Sequence, residues 1–208
     1  MEPNNGHGGI LDRLSAGETL VFDGATGTYL QQHGLEPGGS PELMNANEPK
    51  IIQGMAKQYF DAGSDIVLTN TFGGNKFMLE KYGAGDRVFE LNRLGAEHAR
   101  SVAPSGKYVA GSIGPTGEFI EPLGNVTEED LYDTFAEMAT AFEAGGADAV
   151  MIETQLAIEE ASIAVRAAKE NTKLVVMSTM VFDKGPRGYF TMMGVTPEQA
   201  VQGLEQAG

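Results

Sequence analysis

The chain contains no cysteine and no tryptophan, and it has few basic residues. Without cysteine, its 208 residues cannot form a disulfide, a thiolate zinc site or a cysteine nucleophile. Lysine and arginine number 14 against 29 aspartates and glutamates, which gives a formal net charge of −15. Because nucleic acids and anionic membrane surfaces attract clusters of lysine and arginine, this charge argues against both as partners.

Long hydrophobic runs are also missing. The longest apolar stretch, residues 174–182, is interrupted by Ser178 and Thr179, whereas a membrane-spanning helix needs about 18 or more apolar residues. The first residues show no basic region followed by an apolar one, as an export signal would. We therefore expect a cytoplasmic protein, with residues 1–9 forming a disordered N-terminal segment or a cloning remnant.

Short apolar runs alternate with helical patterns through residues 10–208, which we predict to form one domain. Continuous apolar runs separated by helices are typical of a parallel sheet that is covered by helices. The predicted strands are Leu20–Phe22, Ile66–Leu68, Tyr108–Ile113, Ala149–Ile152 and Leu174–Met177.

Several helices have recognisable N-terminal signals. Thr127 with Asp130 predicts a capping box, and Thr196 with Gln199 predicts a second one. Asn47 is predicted to cap the helix in which Pro49 occupies the first turn.

The helix-strand pattern repeats within the chain. Residues 61–71 and 143–154 share an Ala-Gly pair, an aspartate, an apolar run and a polar-Thr ending. Gly63 and Gly145 are predicted to end helices in the left-handed conformation. The final Ala-Gly pair, ending at Gly208, repeats that helix ending, so we expect the chain to stop before a sixth strand. The alignment pairs Asp65 with Asp148, Asn70 with Glu153 and Thr71 with Thr154.

Two architectures fit a parallel sheet covered by helices. A doubly wound nucleotide-binding fold would place G-x-G-x-x-G after the first strand, but residues 23–28 (DGATGT) lack that pattern. A (β/α)8 TIM barrel fits better, because polar residues cluster at the C-terminal ends of the strands. We predict an α/β TIM barrel that is incomplete here and comprises its first five βα units.

Four of these strand ends carry motifs that together resemble the homocysteine S-methyltransferase family. The motifs are residues 23–28 (DGATGT), 68–72 (LTNTF), 111–117 (GSIGPTG) and 150–154 (VMIET), in that order. The likeness is greatest to the homocysteine-binding barrel of the cobalamin-dependent members, and it runs from about Leu20 to the end.

The resemblance implies a site for homocysteine at the strand ends. Asp23 and Gly24 match the motif that meets the substrate's carboxylate and ammonium, and Glu153 matches the acid that pairs with the ammonium. A zwitterion that leaves water needs an anion for its ammonium and donors for its carboxylate. Other pocket-lining motifs of the family match Asn70, Thr71, Gly114 and Pro115.

The resemblance also implies zinc and a methyl donor. In the family, three cysteines bind zinc, and the zinc holds the homocysteine thiol as a nucleophilic thiolate. The resemblance implies cobalamin, carried by a partner domain, as the methyl donor, and it implies corrinoid-binding and folate-binding domains or proteins as partners. This chain has no cysteine, and His7, His33 and His98 match no ligand motif. We therefore expect the chain alone to be inactive.

A purely structural role remains open for each site residue. Asp23 could only begin a turn, Glu153 could pair with a lysine or cap a loop, and Gly114 with Pro115 could be a rigid turn. For Asn70 and Thr71 the alternative is hydrogen bonding within a loop.

Other functions remain open as well. The chain could belong to a corrinoid methyltransferase for another methylated substrate, such as an amine or aryl ether. It could instead be a non-catalytic binding or scaffolding half-barrel that a partner completes. Two exposed edges of a five-stranded sheet would favour self-association. An aldolase or decarboxylase would need a base or a Schiff-base lysine at a strand end, and no predicted strand end carries one.

Overall fold

A parallel sheet forms the centre of the computed structural model, which describes residues 9–208. The four strands lie in the order β1-β2-β3-β4 and all run parallel, and a separate antiparallel hairpin pairs β5 with β6. The α/β class and the parallel sheet are confirmed. The strands are β1 (Ile66–Leu68), β2 (Tyr108–Ile113), β3 (Ala149–Gln155), β4 (Val175–Met180), β5 (Asp183–Gly185) and β6 (Gly188–Phe190).

Helices separate the parallel strands, as the apolar pattern predicted. A 3-10 turn at Gly85–Arg87 precedes α6. The helices are α1 (Ile10–Ser15), α2 (Thr26–Gln32), α3 (Met44–Asn47), α4 (Pro49–Asp61), α5 (Lys76–Glu80), α6 (Val88–Val102), α7 (Glu128–Ala144), α8 (Ile158–Asn171) and α9 (Pro197–Ala207).

The sheet has two different faces, because successive residues of a strand point to opposite sides. Val150 and Ile152 of β3 pack with Phe142 of α7 in the large core between the sheet and the helices. Ala149 and Met151 belong to a second cluster on the other face of the sheet. We call this second face the inner face; its cluster also contains Ile66, Tyr108, Ala110, Phe22, Leu68, Val175 and Met177.

The first predicted strand is reduced to a single parallel bridge between Phe22 and Ile66. Its backbone still follows the sheet, since the amide of Asp23 donates to the carbonyl of Ile66 at 3.1 Å. Within residues 9–208 this segment pairs only with the short strand β1, which limits the ladder that it can form. Residues 9–208 therefore form an open sheet rather than a closed barrel, and the five-unit barrel remains a prediction.

The sequence repeat has a structural counterpart at the start of two strands. Oδ2 of Asp65 accepts a hydrogen bond from the amide of Val21 at 3.0 Å. Oδ2 of Asp148 accepts from the amide of Val109 at 2.8 Å, and it also pairs with Arg100. Each aspartate thus ties its own strand to the preceding one. The hydrogen bond from the Val21 amide lowers the pKa of Asp65, whereas burial raises the pKa of Asp148.

Helix ends follow the predictions in part. The capping boxes at Thr127 and Thr196 are confirmed, and Gly63 has the expected positive φ of 112°. Gly145 does not, since its φ is −81° and the left-handed residue is Gly146, one position later. Asn47 does not cap α4.

The residue that precedes α4 is Glu48, because Asn47 is taken up as the last residue of α3. The β5–β6 hairpin was not predicted, although Pro186 and Arg187 occupy its turn. The prediction of disorder at residues 1–9 lies outside the described residues except for Gly9, whose amide donates to Asp12 at the start of α1. Among residues 9–208, no helix is long and apolar enough to cross a membrane.

Candidate functional site

Glu153 lies at the C-terminal end of β3, at the centre of the candidate site. It follows Ala149 and Met151 in the alternation of that strand and so belongs to the inner face. Its side chain is half-buried, and its Oε1 accepts a 2.6 Å hydrogen bond from the hydroxyl of Ser112 on β2. The carboxylate is therefore held across the ends of two neighbouring strands.

Asp23 supplies a second carboxylate at the same end of the sheet. Its Oδ2 accepts a 2.9 Å hydrogen bond from the amide of Leu68. Its Oδ1 is buried and has no hydrogen-bond partner within the described chain. The pKa of Asp23 is raised to about 7, chiefly by burial and also by the negative charge of Glu153, while the hydrogen bond from the Leu68 amide opposes this rise.

The two carboxylates lie at the same edge of the sheet, where the C-terminal ends of parallel strands meet. Asp23 is bonded to the Leu68 amide at the end of β1, and Glu153 is bonded to Ser112 near the end of β2. The charge of Glu153 contributes to the raised pKa of Asp23. Like charges that approach each other in a partly buried site favour a cation between them. An unpartnered oxygen on Asp23 leaves an acceptor available for such a cation. The arrangement suits an ammonium group.

Gly24 follows Asp23 in the irregular segment that leads into α2, and Tyr59 packs against this segment. A Cβ atom at Gly24 would lie 3.3 Å from the ring and hydroxyl of Tyr59. The Tyr59 hydroxyl donates to the carbonyl of Ala25 at 2.9 Å. Burial raises the pKa of Tyr59, and the charge of Asp23 adds to that rise. Tyr59 is a further residue near the site that the sequence analysis did not identify.

Asn70 and Thr71 follow β1 and are buried. Nδ2 of Asn70 donates to the carbonyl of Pro41 at 2.7 Å and to Oδ1 of Asn45 at 3.0 Å. The hydroxyl of Thr71 donates to the carbonyl of Ser112 at 2.8 Å. These donors are engaged within the protein, so both residues hold the loop. Asn45 was missed, because no local pattern connects it with a residue 25 positions away.

Gly114 and Pro115 form the turn after β2. The Gly114 amide donates to the carbonyl of Phe72 at 2.9 Å, and a Cβ atom at Gly114 would lie 2.7 Å from the Phe72 ring. A side chain at this position would push against the outer end of the Phe72 ring, which is 43% exposed and has room to move aside. Pro115 is half-buried. The backbone and hydroxyl of the next residue, Thr116, both donate to the buried carboxylate of Glu160, another residue that the sequence analysis missed.

The backbone is strained immediately after Glu153. Thr154 has a φ of 60°, an unfavourable conformation for a β-branched residue. The strand register shifts between Ile152 and Gln155, and the Thr154 amide donates to the hydroxyl of Thr179 at 3.3 Å. Strain of this kind is concentrated at binding and catalytic sites, where it fixes the direction of a side chain.

The zinc that the resemblance implies does not fit the residues of this chain. The sequence contains no cysteine, and residues 9–208 contain no group of three or more histidine, cysteine, aspartate or glutamate residues that could hold a metal ion. A ring nitrogen of His33 lies 2.7 Å from the carbonyl of Tyr29, and one of His98 lies 2.7 Å from the carbonyl of Asn45. His7 lies outside the described residues.

Comparison with known sequences agrees with the motifs. The chain is 39% identical over 159 residues to methionine synthase of Mycobacterium tuberculosis, an alignment that covers 70% of this chain and 13% of that protein. It is 30% identical over 215 residues to betaine–homocysteine S-methyltransferase 1 of Danio rerio, covering 100% of this chain and 51% of that protein. The chain therefore spans about half or less of the length of these relatives.

Solved structures share the fold. The metallated form of the homocysteine methyltransferase MmuM from Escherichia coli matches with a TM-score of 0.77 at 18% identity, covering 95% of this chain and 74% of that one. Its oxidized form matches with a TM-score of 0.75 at 19% identity, covering 94% and 72%. The sequence model of the family described as homocysteine S-methyltransferase matches residues 20–208. The chain belongs to the homocysteine S-methyltransferase family.

Proposed function

We propose that this chain is the homocysteine-binding portion of a zinc-dependent methyltransferase that converts homocysteine to methionine. One observation supports the proposal. Asp23 and Glu153 bring two carboxylates to the C-terminal edge of the sheet, and Oδ1 of Asp23 is buried without a partner within residues 9–208. Membership of a homocysteine S-methyltransferase family supports homocysteine as the amino acid that binds there.

The two acids divide the recognition of the substrate's ammonium. Glu153 is oriented by the Ser112 hydroxyl, and its Oε2, which has no hydrogen-bond partner among residues 9–208, can accept a charge-assisted hydrogen bond. Asp23 is held by the amide of Leu68 and offers its other oxygen. The backbone amides around Gly24, where Tyr59 packs, would donate hydrogen bonds to the substrate's carboxylate. Asn70, Thr71, Gly114 and Pro115 shape the surrounding wall.

Zinc, when bound in the family's complete domain, supplies the thiolate form of the substrate. This chain has no cysteine to bind the zinc. We propose that the residues of this chain bind and orient homocysteine, and that the chain alone does not turn it over. Cobalamin and the corrinoid-binding and folate-binding domains would be supplied by other parts of the enzyme or by partners, in the cytoplasm.

Calorimetry with L-homocysteine under reducing conditions tests the proposal. We expect weak binding, with a loss of at least about tenfold in Glu153→Gln, the equivalent of one charge-assisted hydrogen bond. Glu159→Gln is the matched control. Glu159 is exposed in the first turn of α8, close to Glu153 in the sequence, and the substitution removes the same charge. No binding at millimolar homocysteine, or equal binding by Glu153→Gln, would contradict the proposal. Methionine formation from homocysteine and methylcobalamin would contradict the predicted inactivity.

A non-catalytic half-barrel completed by a partner is the second candidate, and the inner face favours it. Leu68, Met151 and Met177 on this face are only half-buried, and β4 is an edge of the four-stranded sheet. Apolar faces and open edges promote association. We expect sedimentation velocity to show self-association of the chain, and a monomer across the micromolar range would contradict this.

A related enzyme would use the same mouth for a different methylated substrate. The Asp23 and Glu153 pair argues against an aryl ether, which needs neither acid, whereas a protonated methylated amine would suit both acids. A screen of methylated amines and aryl ethers by calorimetry, beside homocysteine, separates the two, and homocysteine is the expected ligand.

A further inference from the structure

We infer that Glu160 is a positioning residue that fixes the turn after β2 against the start of α8 and thereby sets the shape of the mouth. The inference rests on the proposed homocysteine-binding function. Glu160 is only 6% exposed and lies in the first turn of α8. Its Oε1 accepts hydrogen bonds from the Thr116 amide at 2.7 Å and from the Thr116 hydroxyl at 2.8 Å. One oxygen therefore holds both the backbone and the side chain of a fully buried residue.

The two segments that Glu160 joins carry the proposed site. Thr116 directly follows Gly114 and Pro115, and α8 begins shortly after the strand end that carries Glu153. β2 and β3 are already linked by the Ser112 hydroxyl and the Glu153 carboxylate. Glu160 adds a second link between the same two strand ends. The turn and the Glu153 loop cannot then move apart without breaking a buried, charge-assisted interaction.

The contacts of Glu160 differ from those of an ordinary acid at a helix start. Such an acid commonly bonds to its own helix N-terminus or remains solvated beside the positive end of the dipole. Glu159, its neighbour, is exposed and suits that role. Glu160 instead points its acceptor at a residue 44 positions earlier. Ala157, the residue that precedes α8, has no side-chain oxygen that could accept a capping hydrogen bond from the first amides of the helix.

Burial makes this arrangement costly, which argues for a specific role. A carboxylate removed from water needs compensating donors, and burial raises the pKa of Glu160 while the Thr116 donors oppose that rise. An apolar side chain would fill the same space without this cost, but it could not hold the Thr116 amide. The acceptor is therefore the property that the turn requires.

Amide hydrogen exchange without ligand, followed by calorimetry with homocysteine, tests the inference in the 208-residue chain. In Glu160→Ala we expect exchange at the Gly114 and Thr116 amides to accelerate by about tenfold or more, because the Thr116 amide and hydroxyl lose their charged acceptor. We expect homocysteine affinity to fall by about tenfold. Glu160→Gln keeps a side-chain oxygen and is expected to restore both values to within about threefold. Glu159→Ala, the matched control, should change neither.

Thr116→Val covers the case in which Glu160→Ala does not fold. It keeps the shape and the backbone amide but removes the hydroxyl donor, and it should weaken homocysteine binding by about threefold or more. Unchanged exchange in Glu160→Ala, or unchanged affinity beside faster exchange, would overturn the positioning role. If the unmodified chain bound no homocysteine, the proposed function would fail. The exchange results would then decide separately whether Glu160 fixes the turn.

Discussion

The hydroxyl of Ser112 donates a 2.6 Å hydrogen bond to Oε1 of Glu153, and this bond joins the ends of two adjacent parallel strands. Ser112 is itself fixed, because its amide donates to the Thr69 hydroxyl at 3.1 Å and its carbonyl accepts from the Thr71 hydroxyl at 2.8 Å. The orientation of the proposed substrate-binding carboxylate is thus transmitted from β1 through β2 to β3. Parallel strands place these residues together although they lie about 40 positions apart in sequence.

Replacing Ser112 tests this connection. Ser112→Ala removes the donor to Glu153 and should weaken homocysteine binding by about three- to tenfold while lowering the free energy of unfolding by about 1 kcal/mol. Calorimetry and urea denaturation measure the two effects. The control is Ser178→Ala on β4, whose buried hydroxyl has no partner within residues 9–208. It should leave affinity unchanged and stability unchanged or slightly higher. Equal affinity losses in both variants would argue against an orienting role for Ser112.

Asp23 is expected to lower stability at neutral and alkaline pH. Its pKa is raised from 3.8 to about 7, chiefly by burial. Between these two values the folded chain binds more protons than the unfolded chain, so the free energy of unfolding falls as pH rises through this window. Asp23→Asn removes that loss and should stabilise the protein at pH 8 by about 1 to 3 kcal/mol, with little effect near pH 4.

Urea denaturation of Asp23→Asn across pH 4 to 8 measures this stabilisation. Asp61→Asn is the control, because Asp61 is an exposed acid at the end of α4, and its effect should remain within about 0.5 kcal/mol. The same Asp23 variant should bind homocysteine poorly. The substitution would then raise stability and weaken binding, a trade-off that is common at functional sites. A lower free energy of unfolding for Asp23→Asn at pH 8 would contradict the raised pKa of Asp23.

The raised pKa of Asp23 also predicts how binding depends on pH. The ammonium group pairs with the ionised carboxylate, so bound homocysteine should lower the pKa of Asp23 and release a proton below about pH 7. We expect affinity to rise between pH 6 and pH 8, by about tenfold for one linked proton. Titrations in buffers of different ionisation enthalpy count the released protons. A flat pH profile in the unmodified chain would show that Asp23 does not ionise on binding.

The sequence was a good guide to features that are encoded locally. Some features depend on a few consecutive residues, and the structure contains them. They are the apolar runs of β2 and β3, the capping box at Thr127 and the acids Asp23 and Glu153 at strand ends. The likeness of the strand-end motifs to one family added the expected role of the acids. Their shared mouth follows from the rule that C-terminal ends of parallel strands lie at one edge of a sheet.

Features that depend on distant contacts could not be predicted in the same way. Glu160 looks like one of two equivalent acids at the start of α8, and only the fold shows that it is buried against Thr116. Tyr59 occupies a helix position where apolar residues are expected, yet its hydroxyl donates to the carbonyl of Ala25, close to Asp23. The left-handed residue after α7 is Gly146 rather than Gly145, because two successive glycines give no local reason to prefer one.

Close packing of β2 against α7 gives a final prediction that concerns the fold alone. A Cβ atom at Gly111 would lie 2.2 Å from the ring of Phe142, which is fully buried. Gly111→Ala should therefore destabilise the chain by about 3 kcal/mol or more, since the ring has no space to move. Gly27→Ala on α2 is the control, because nothing lies within 4 Å of its added methyl group. That variant should stabilise the helix by about 0.5 to 1 kcal/mol. Urea denaturation measures both, and comparable values for the two variants would show that β2 can shift away from α7.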